Sequence, residues 1–515
     1  MSQAKQRQEL PTAVVYHELT KYSEQELMQN PRQLDWSTKP GVYKDVVSDR
    51  KVELASFLPF ARNPFTGAAL KPSATRAGDP IGLSQISRLL YFTYGITAVM
   101  KSQQESHALR AAPSAGALYP AEIYVATRGI DGIADGVHDY QVRDHSLVTL
   151  WDGDFWSEFQ RYSWGHEAIE RSKLLVIFSA VFYRSSWRYE ERAYRRILLD
   201  TGHALGNLEC YAPHEHLLVY PVSGFCDAAL NSVLFLDPKD EGILMVCALT
   251  REQDLEGASV RRSSVYPSGI VATPVRTPRE GLLQRLHEAS SIPGTQVFDE
   301  GKVPDDGPLE ALHRDKPSIT LPAQPFELPV PETILLRRST RAFSGDALTS
   351  KQLATILAYS YDVAVPGDSG GDPGTFRVFD PSLIETYVIV QAIEGIDPGI
   401  YYYAPRSRAL RAVRKGQFRD QSHHFCLGQE LGLSASAVVV HVSDLPRALE
   451  KYGERAYRYL HLDAGHLGQR MNLSALALGG GASGIGGFFD DEVNALIGLE
   501  PERIVVYITC LGKPA

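Results

Sequence analysis

Arg337-Arg338-Ser339-Thr340-Arg341 sets guanidiniums and hydroxyls just ahead of a run with helical spacing, Leu353, Ile356, Leu357 and Ser360. Arginine meets a phosphate through two parallel N–H bonds, and the open amides at a helix start add favourable charge, so the segment reads as an anion cradle. A solvated basic turn would have the same composition. A second segment, Gly479-Gly-Gly-Ala-Ser-Gly-Ile-Gly-Gly-Phe488, follows another helical run. One glycine is enough to end a helix, whereas six allow a backbone to approach a flat or charged ligand closely. It is neither a Gly-Lys-Ser/Thr phosphate loop nor a strand-to-helix dinucleotide loop. A third segment, Pro113-Ser114-Ala115-Gly116-Ala117-Leu118-Tyr119-Pro120, is a turn of small residues entering the apolar run Ile123 to Ala126.

Other chemistry-bearing residues form weaker patterns. His214-Glu-His216 has a spacing that suits no helix face, and no third ligand accompanies it, so no metal is expected. His423-His424 reads as solvated surface. Cys210, Cys226, Cys247, Cys426 and Cys510 are odd in number and scattered, which argues against a disulfide framework or a Cys-x-x-Cys site and for a reducing compartment.

These segments belong to a chain that repeats itself. Tyr189-Glu-Glu-Arg-Ala-Tyr-Arg-Arg-Ile-Leu-Leu-Asp-Thr-Gly-His203 recurs as Tyr452-Gly-Glu-Arg-Ala-Tyr-Arg-Tyr-Leu-His-Leu-Asp-Ala-Gly-His466, 263 positions on. The same offset maps Gly136 to Gly399, Tyr140 to Tyr403, Gly224-Phe225 to Gly487-Phe488, Asn231 to Asn494 and Pro238 to Pro501. A period of this size means two copies of a whole domain, and hence an internal pseudo-dimer. The copies differ where the chemistry lies. In the first copy Phe60 to Arg76 stands where the arginine segment is, and His216 to Gly224 replaces the glycine run; in the second copy Phe376 to Leu383 replaces the small-residue turn. Complementary losses point to one composite site between the copies. Arg192, Arg195, Arg455 and Arg458 persist in both copies and read as structural, with Asp200 and Asp463 expected as their partners.

Within each copy two periods alternate. Leu460, Ala464, Leu467, Met471, Ser474 and Leu478 lie on one helix face, matched by Ile197, Thr201, Ala204, Leu208 and Tyr211 in the first copy. Strands are expected at Ile123 to Ala126, Leu174 to Phe178 and Ile243 to Val246, then at Tyr387 to Val390, Val438 to Val442 and Ile504 to Ile508. Each copy is α+β, one sheet wrapped by helices. Eleven of the 31 prolines fall between Pro267 and Pro331. That stretch reads as an extended connector with one short helix, Gly281 to Ala289. The expected division is a first domain over residues 1–255, a proline-rich linker over 256–330 and a second domain over 331–515.

The chain has 515 residues, enough for two domains of ordinary size, with 44% hydrophobic and 22% charged residues. A net charge of -9 argues against a surface built for nucleic acid. No run approaches the roughly 18 apolar residues of a membrane span, and residues 1–11 carry no apolar targeting core, so a cytoplasmic location is expected.

The three segments resemble the FMN-binding segments of the nitroreductase superfamily, whose members are usually homodimers with flavin at the subunit interface. Tyr16-His-Glu-Leu-Thr-Lys-Tyr-Ser23, Leu34-Asp-Trp-Ser37, Pro113-Ser-Ala-Gly-Ala and Lys451-Tyr-Gly-Glu-Arg-Ala-Tyr-Arg458 running into Asp463-Ala-Gly-His466 are similar to one branch of it, the SagB-type (SagB/ThcOx) peptide dehydrogenases. The resemblance implies two tandem nitroreductase-like domains forming an intramolecular pseudo-dimer. It implies FMN held by Arg337, Arg338, Ser339 and Arg341, with Lys513 adding a phosphate contact. Gly484, Ile485, Gly486 and Gly487 would pass the flavin N5 side, and Pro113, Ser114, Ala115, Gly116 and Leu118 would arrive from the other copy. Because these segments are divided between the copies, one flavin per chain is expected.

A Lys-Tyr pair serves catalysis in azoline-oxidising members of that family, and it matches Lys451-Tyr452. Moving a hydride from carbon to flavin requires a base for the accompanying proton, and a lysine of lowered pKa, or a tyrosine polarised by it, can serve. The first copy has Arg188-Tyr189, and arginine is no base near neutral pH. The implied reaction is oxidation of a peptide thiazoline or oxazoline to the azole, with heterocyclase proteins as partners. An NAD(P)H-dependent reductase of nitro, quinone or ene substrates, and a non-catalytic flavoprotein scaffold in a peptide-modifying complex, are the alternatives.

Overall fold

The computed structural model describes residues 10–29, 33–46, 48–59, 76, 78–101, 106–255, 268, 281–294, 307–322, 325–361 and 380–515. Two seven-stranded antiparallel sheets carry the fold. In spatial order the first runs Lys51–Glu53, Ser146–Asp152, Gly136–Gln141, Ala121–Thr127, Leu174–Val181, Glu241–Thr250 and Leu218–Val222. The second runs Ser318–Thr320, Ala409–Lys415, Gly399–Ala404, Glu385–Val390, Ala437–Asp444, Arg503–Gly512 and Gly481–Ile485, which is the same topology. Each of the six expected strands lies inside one of these. The central strands are buried on both faces, which is why they read as unbroken β-branched runs.

The helices Ala193–Tyr211 and Ala456–Ala477 pack along each other at the centre of the molecule. Their contact is a pseudo-two-fold crossing at Gly202 and Gly465, each set against the other helix's backbone. One apolar core runs through both copies around this pair, with a separate cluster on the outer face of each sheet. The second copy is therefore packed as a dimer partner would be.

The repeated arginines hold the copies together, with partners other than those expected. Arg192 and Arg195 bond the two carboxylate oxygens of Asp490 at 2.7 and 2.6 Å, and Arg455 and Arg458 bond those of Asp227 at 2.7 Å each. Asp227 and Asp490 are themselves 263 positions apart, so each copy's arginines grip the other copy's aspartate. Asp200 and Asp463 lie one helical turn or more further on and instead accept from the chain near Ser114 and Asp380.

The connector is more structured than its prolines imply. Glu454 accepts from the amides of Thr12 and Ala13, at the start of helix Thr12–Leu19, and Glu191 accepts from Gly281 and Leu283, at the start of helix Leu282–Ala289. His17 meets Tyr457 and His287 meets Tyr194 in the same way. Helix Leu282–Ala289 and edge strand Ser318–Thr320 are thus the second copy's counterparts of Thr12–Leu19 and Lys51–Glu53. Second-copy architecture begins well inside residues 256–330. Most of the segment Phe60 to Arg76 and the start of Phe376 to Leu383 lie outside the described residues. Among the described residues no helix is long and apolar enough to cross a membrane.

Candidate active site

A cleft of about 1160 Å³ opens between the copies. Its walls bring together Pro113, Ser114, Ala115, Gly116 and Leu118 from the first copy with Arg337, Arg338, Ser339, Arg341, Gly484, Ile485, Gly486 and Gly487 from the second. Lys513 is not among the lining residues. Its carbonyl accepts from Ser344 at 2.9 Å, which laces the end of the last strand to the arginine segment.

The arginine segment is extended and is not a helix start. Thr340 N donates to Ala482 O at 2.9 Å, and the next helix begins only at Ser350. The cradle must therefore work through side chains. Arg337 is buried, bonding Ala111 O at 2.8 Å and Arg110 O at 3.3 Å across the copy boundary, while its Nη1 has no partner. Burial lowers its pKa to about 10, and the neighbouring Arg338 and Arg341 add to this against an opposing effect of Tyr119. Arg338 is committed to Thr97 O at 3.1 Å and Leu335 O at 3.1 Å, which fixes the segment against the first copy. A buried guanidinium with an open nitrogen beside two further arginines is a site for an anion.

The glycine segment, expected as a loop, is an edge strand for most of its length. Gly481–Ile485 pairs antiparallel with the last strand, Gly484 opposite Thr509 and Ile485 opposite Ile508. Its glycines are needed because the Tyr507 ring and hydroxyl lie directly over Gly484, leaving no room for a side chain. Tyr507 donates to His203 Nε2 at 2.9 Å. The other ring nitrogen faces Gln469 Oε1 at 2.9 Å, which assigns the proton to Nδ1. Burial holds the His203 pKa near 3, so the ring is neutral.

The small-residue turn is strained and clamped. Gly116, Ala117 and Tyr119 have φ of 64, 54 and 47°, in the left-handed region. A Cβ at Gly116 would also meet the Tyr189 hydroxyl at 2.8 Å. Asp200 holds the turn by accepting from Ser114 Oγ at 2.6 Å and Ala115 N at 3.1 Å. It is the one carboxylate among the lining residues. Burial raises its pKa to about 7 against these hydrogen bonds and the pull of Arg196.

The structure does not bring Lys451 and Tyr452 to this cleft. Lys451 is paired with Asp380, and the Tyr452 hydroxyl donates to the same oxygen at 2.7 Å. The pseudo-two-fold explains this: each copy's residues before the long helix face the other copy's edge strand, Gly481–Ile485 or Leu218–Val222. The glycine strand belongs to the second copy, so the pair facing it is Arg188 and Tyr189, both lining the cleft. The sequence comparison points to the second copy's pair, whereas the pair lining this cleft is the first copy's. Arg196, Asp200, His203 and Tyr507 were also missed; Arg196, which Tyr459 replaces in the repeat, was the available signal. Of the residues once considered for a metal, Glu215 is bonded by Arg88 at 2.7 and 2.6 Å, and His214 stacks on Tyr211.

The nitroreductase family model matches residues 78–250 and 334–513, one segment in each copy. The chain belongs to the nitroreductase family. Members of this family usually bind FMN. A crystal structure of a candidate nitroreductase from Anabaena variabilis is similar over 98% of this chain and 100% of that one, at 38% identity and a TM-score of 0.86. That likeness extends across both copies, so the tandem arrangement is shared. A candidate nitroreductase of Methanocaldococcus jannaschii is 26% identical over 171 residues, 33% of this chain and 85% of that one. The trifolitoxin-processing protein TfxB of Rhizobium leguminosarum bv. trifolii is 27% identical over 242 residues, covering 45% of this chain and 64% of TfxB.

Proposed function

We propose that the chain binds one FMN in the cleft and is an oxidoreductase acting on thiazoline or oxazoline rings of a peptide. The observation carrying the cofactor assignment is Arg337: a buried guanidinium, with one nitrogen open, where the two copies meet. Arg337, Ser339 and Arg341 would hold the phosphate, with Lys513 behind them. Gly484 to Gly487 and the Ser114–Leu118 turn would face the ring from opposite copies. FMN, when bound, supplies the two-electron acceptor for a hydride equivalent from carbon.

The chain's own residues supply position and proton handling. Tyr189 presents its hydroxyl at the turn, and burial keeps it protonated at neutral pH, so it donates a hydrogen bond to the substrate. Asp200, with its pKa near 7, is suited to take up the proton released on ring oxidation. The similarity to TfxB supports a peptide substrate and protein partners in a peptide-modifying system. At the position equivalent to this cleft, Lys451 and Tyr452 are both held by Asp380, which supports a single flavin per chain.

Flavin released from purified protein and quantified against the chain tests the assignment. A ratio near one is expected, and a ratio near two removes the single-site reading. Anaerobic mixing with an azoline peptide should bleach the flavin without added nicotinamide cofactor. Bleaching by NAD(P)H alone, with none by the peptide, would make the chain a reductase.

A further inference from the structure

Arg196 is a buried arginine in the cleft that neither the cradle nor the copy interface uses. Arg192 and Arg195, on the same helix entry, turn to Asp490, whereas Arg196 turns into the cleft. It is 8% exposed, and its guanidinium stacks on the Tyr189 ring at 3.7 Å. Its Nη1 and Nη2 flank the glycine segment, where a Cβ on Gly486 or Gly487 would come within 3.1 or 3.4 Å of them. Among the described residues a hydrogen bond to the Tyr22 hydroxyl at 3.4 Å is its one polar contact, and its Nε is buried with no partner. Among the described residues no carboxylate lies within ion-pair distance of it. In the repeat its place is taken by Tyr459, so the charge belongs to the cleft and not to the shared framework.

Its position separates it from the cradle. Along the glycine strand, Gly481 packs on Thr340 of the cradle, Gly484 on Tyr507, and Gly486 on Arg196. At about 3.3 Å per residue, the two ends are about 16 Å apart. Asp200 feels its charge only through space, being bonded to Ser114 and Ala115, and a desolvated guanidinium with no directly bonded anion is costly and persists where a ligand supplies one. Stacking on Tyr189 covers one face of its plane and leaves the N–H edge, which matches a planar, two-oxygen acceptor. Arg188 adds positive charge on the same wall, and the edge-packed Trp36 and Trp187, 5.5 Å apart, give the mouth aromatic surface.

We infer that Arg196 receives a carboxylate of the substrate, so that the molecules turned over carry an acid group close to the planar ring being oxidised. This rests on the reading of the cleft as the flavin site. The acid could be a side chain or terminus of a peptide, or part of a small organic acid; the chemistry recognised is the same.

Calorimetric titration of the full-length chain, with its flavin content measured separately, tests this with benzoate, benzamide and an N-acetylated glutamyl tripeptide amide. Benzoate is expected to bind at least about tenfold more tightly than benzamide, and Arg196→Gln to lose at least about tenfold of that affinity while keeping its flavin ratio and Tm. Arg196→Lys, which keeps the charge but not the fork, should fall between the two and serves if the glutamine variant does not fold. Tighter binding of the tripeptide than of benzoate assigns the carboxylate to a peptide, and the reverse to a small acid. Equal binding of benzoate and benzamide, or benzoate affinity unchanged in both variants, overturns the inference. So does loss of flavin alone, which would make Arg196 a cofactor residue. A chain without flavin that still discriminates benzoate would fail the functional proposal and leave Arg196 as a carboxylate site without its link to a ring being oxidised.

Discussion

Gly202 and Gly465 face each other across the centre of the molecule, and neither has room for a methyl group. A Cβ on Gly202 would lie 3.0 Å from Gly465 Cα and would overlap the Leu462 carbonyl oxygen; a Cβ on Gly465 would overlap that of Leu199. The obstacle is backbone in both cases, so it cannot swing away. Gly465→Ala should cost about 1–3 kcal/mol through overpacking, outweighing the usual helix gain of about 1 kcal/mol from replacing glycine by alanine. Chemical denaturation measures it. Because the crossing sets the spacing of the cleft walls, the variant should also hold flavin less tightly.

Asp490 neutralises two buried arginines of the other copy. Asp490→Ala leaves Arg192 and Arg195 desolvated without a counter-ion, a loss of the order of 3–5 kcal/mol. Asp227→Ala should do the same from the other side through Arg455 and Arg458. Similar losses of midpoint in the two variants would show that the interface is symmetric in energy as well as in geometry; a loss in one alone would break that symmetry.

How far the sequence could be read depended on whether a feature was local. The β-branched runs and helix faces are local signals, and the strands and the two long helices follow from them. The 263-residue offset exposed the pseudo-dimer because matched residues such as Gly136 and Gly399 share one register. Arginine partners were not legible: Asp200 lies near Arg195 in the chain, but the charge that meets Arg195 comes from Asp490 through the two-fold. The glycine run reads as a loop because it directly follows a helix and glycine ends helices, whereas here the Tyr507 ring over Gly484 requires glycine in a strand. The connector was masked by prolines, although the Glu191 carboxylate caps a helix within it. The position of Lys451 and Tyr452 outside the cleft was not legible for the same reason as the arginine partners: which copy's pair faces the cleft is decided by the two-fold and not by chain proximity.

Asp200 should give the cleft turn a pH dependence near neutrality. Its folded pKa, raised to about 7, exceeds the ordinary value of 3.8, so the folded state takes up a proton that the unfolded chain does not between those limits. Stability from this group is therefore full below about pH 4 and is lost as pH rises through about 7. Asp200→Asn mimics the protonated form while keeping a carbonyl for Ala115 N. Flavin affinity measured from pH 5.5 to 8.5 should vary in the parent and flatten in the variant. A parent profile that is already flat would mean that Asp200 does not titrate in this window.

Tyr189 and Lys451 separate the two sides of the pseudo-two-fold functionally. Tyr189→Phe removes the hydroxyl that faces Gly116 in the cleft without changing the stack with Arg196. Turnover of an azoline substrate should fall by about 10²-fold or more, with flavin retained, if that hydroxyl orients the substrate. Lys451→Ala instead removes the cation from the buried Asp380 carboxylate, leaving it the neutral donors Tyr452 and Ser382. That variant should lose stability, by the order of 3 kcal/mol for a broken buried pair, while turnover per bound flavin stays near that of the parent. Single-turnover flavin reduction in the two variants decides between the copies: loss in Tyr189→Phe places the chemistry in the observed cleft, whereas loss in Lys451→Ala with Tyr189→Phe unaffected would return it to the second copy's pair.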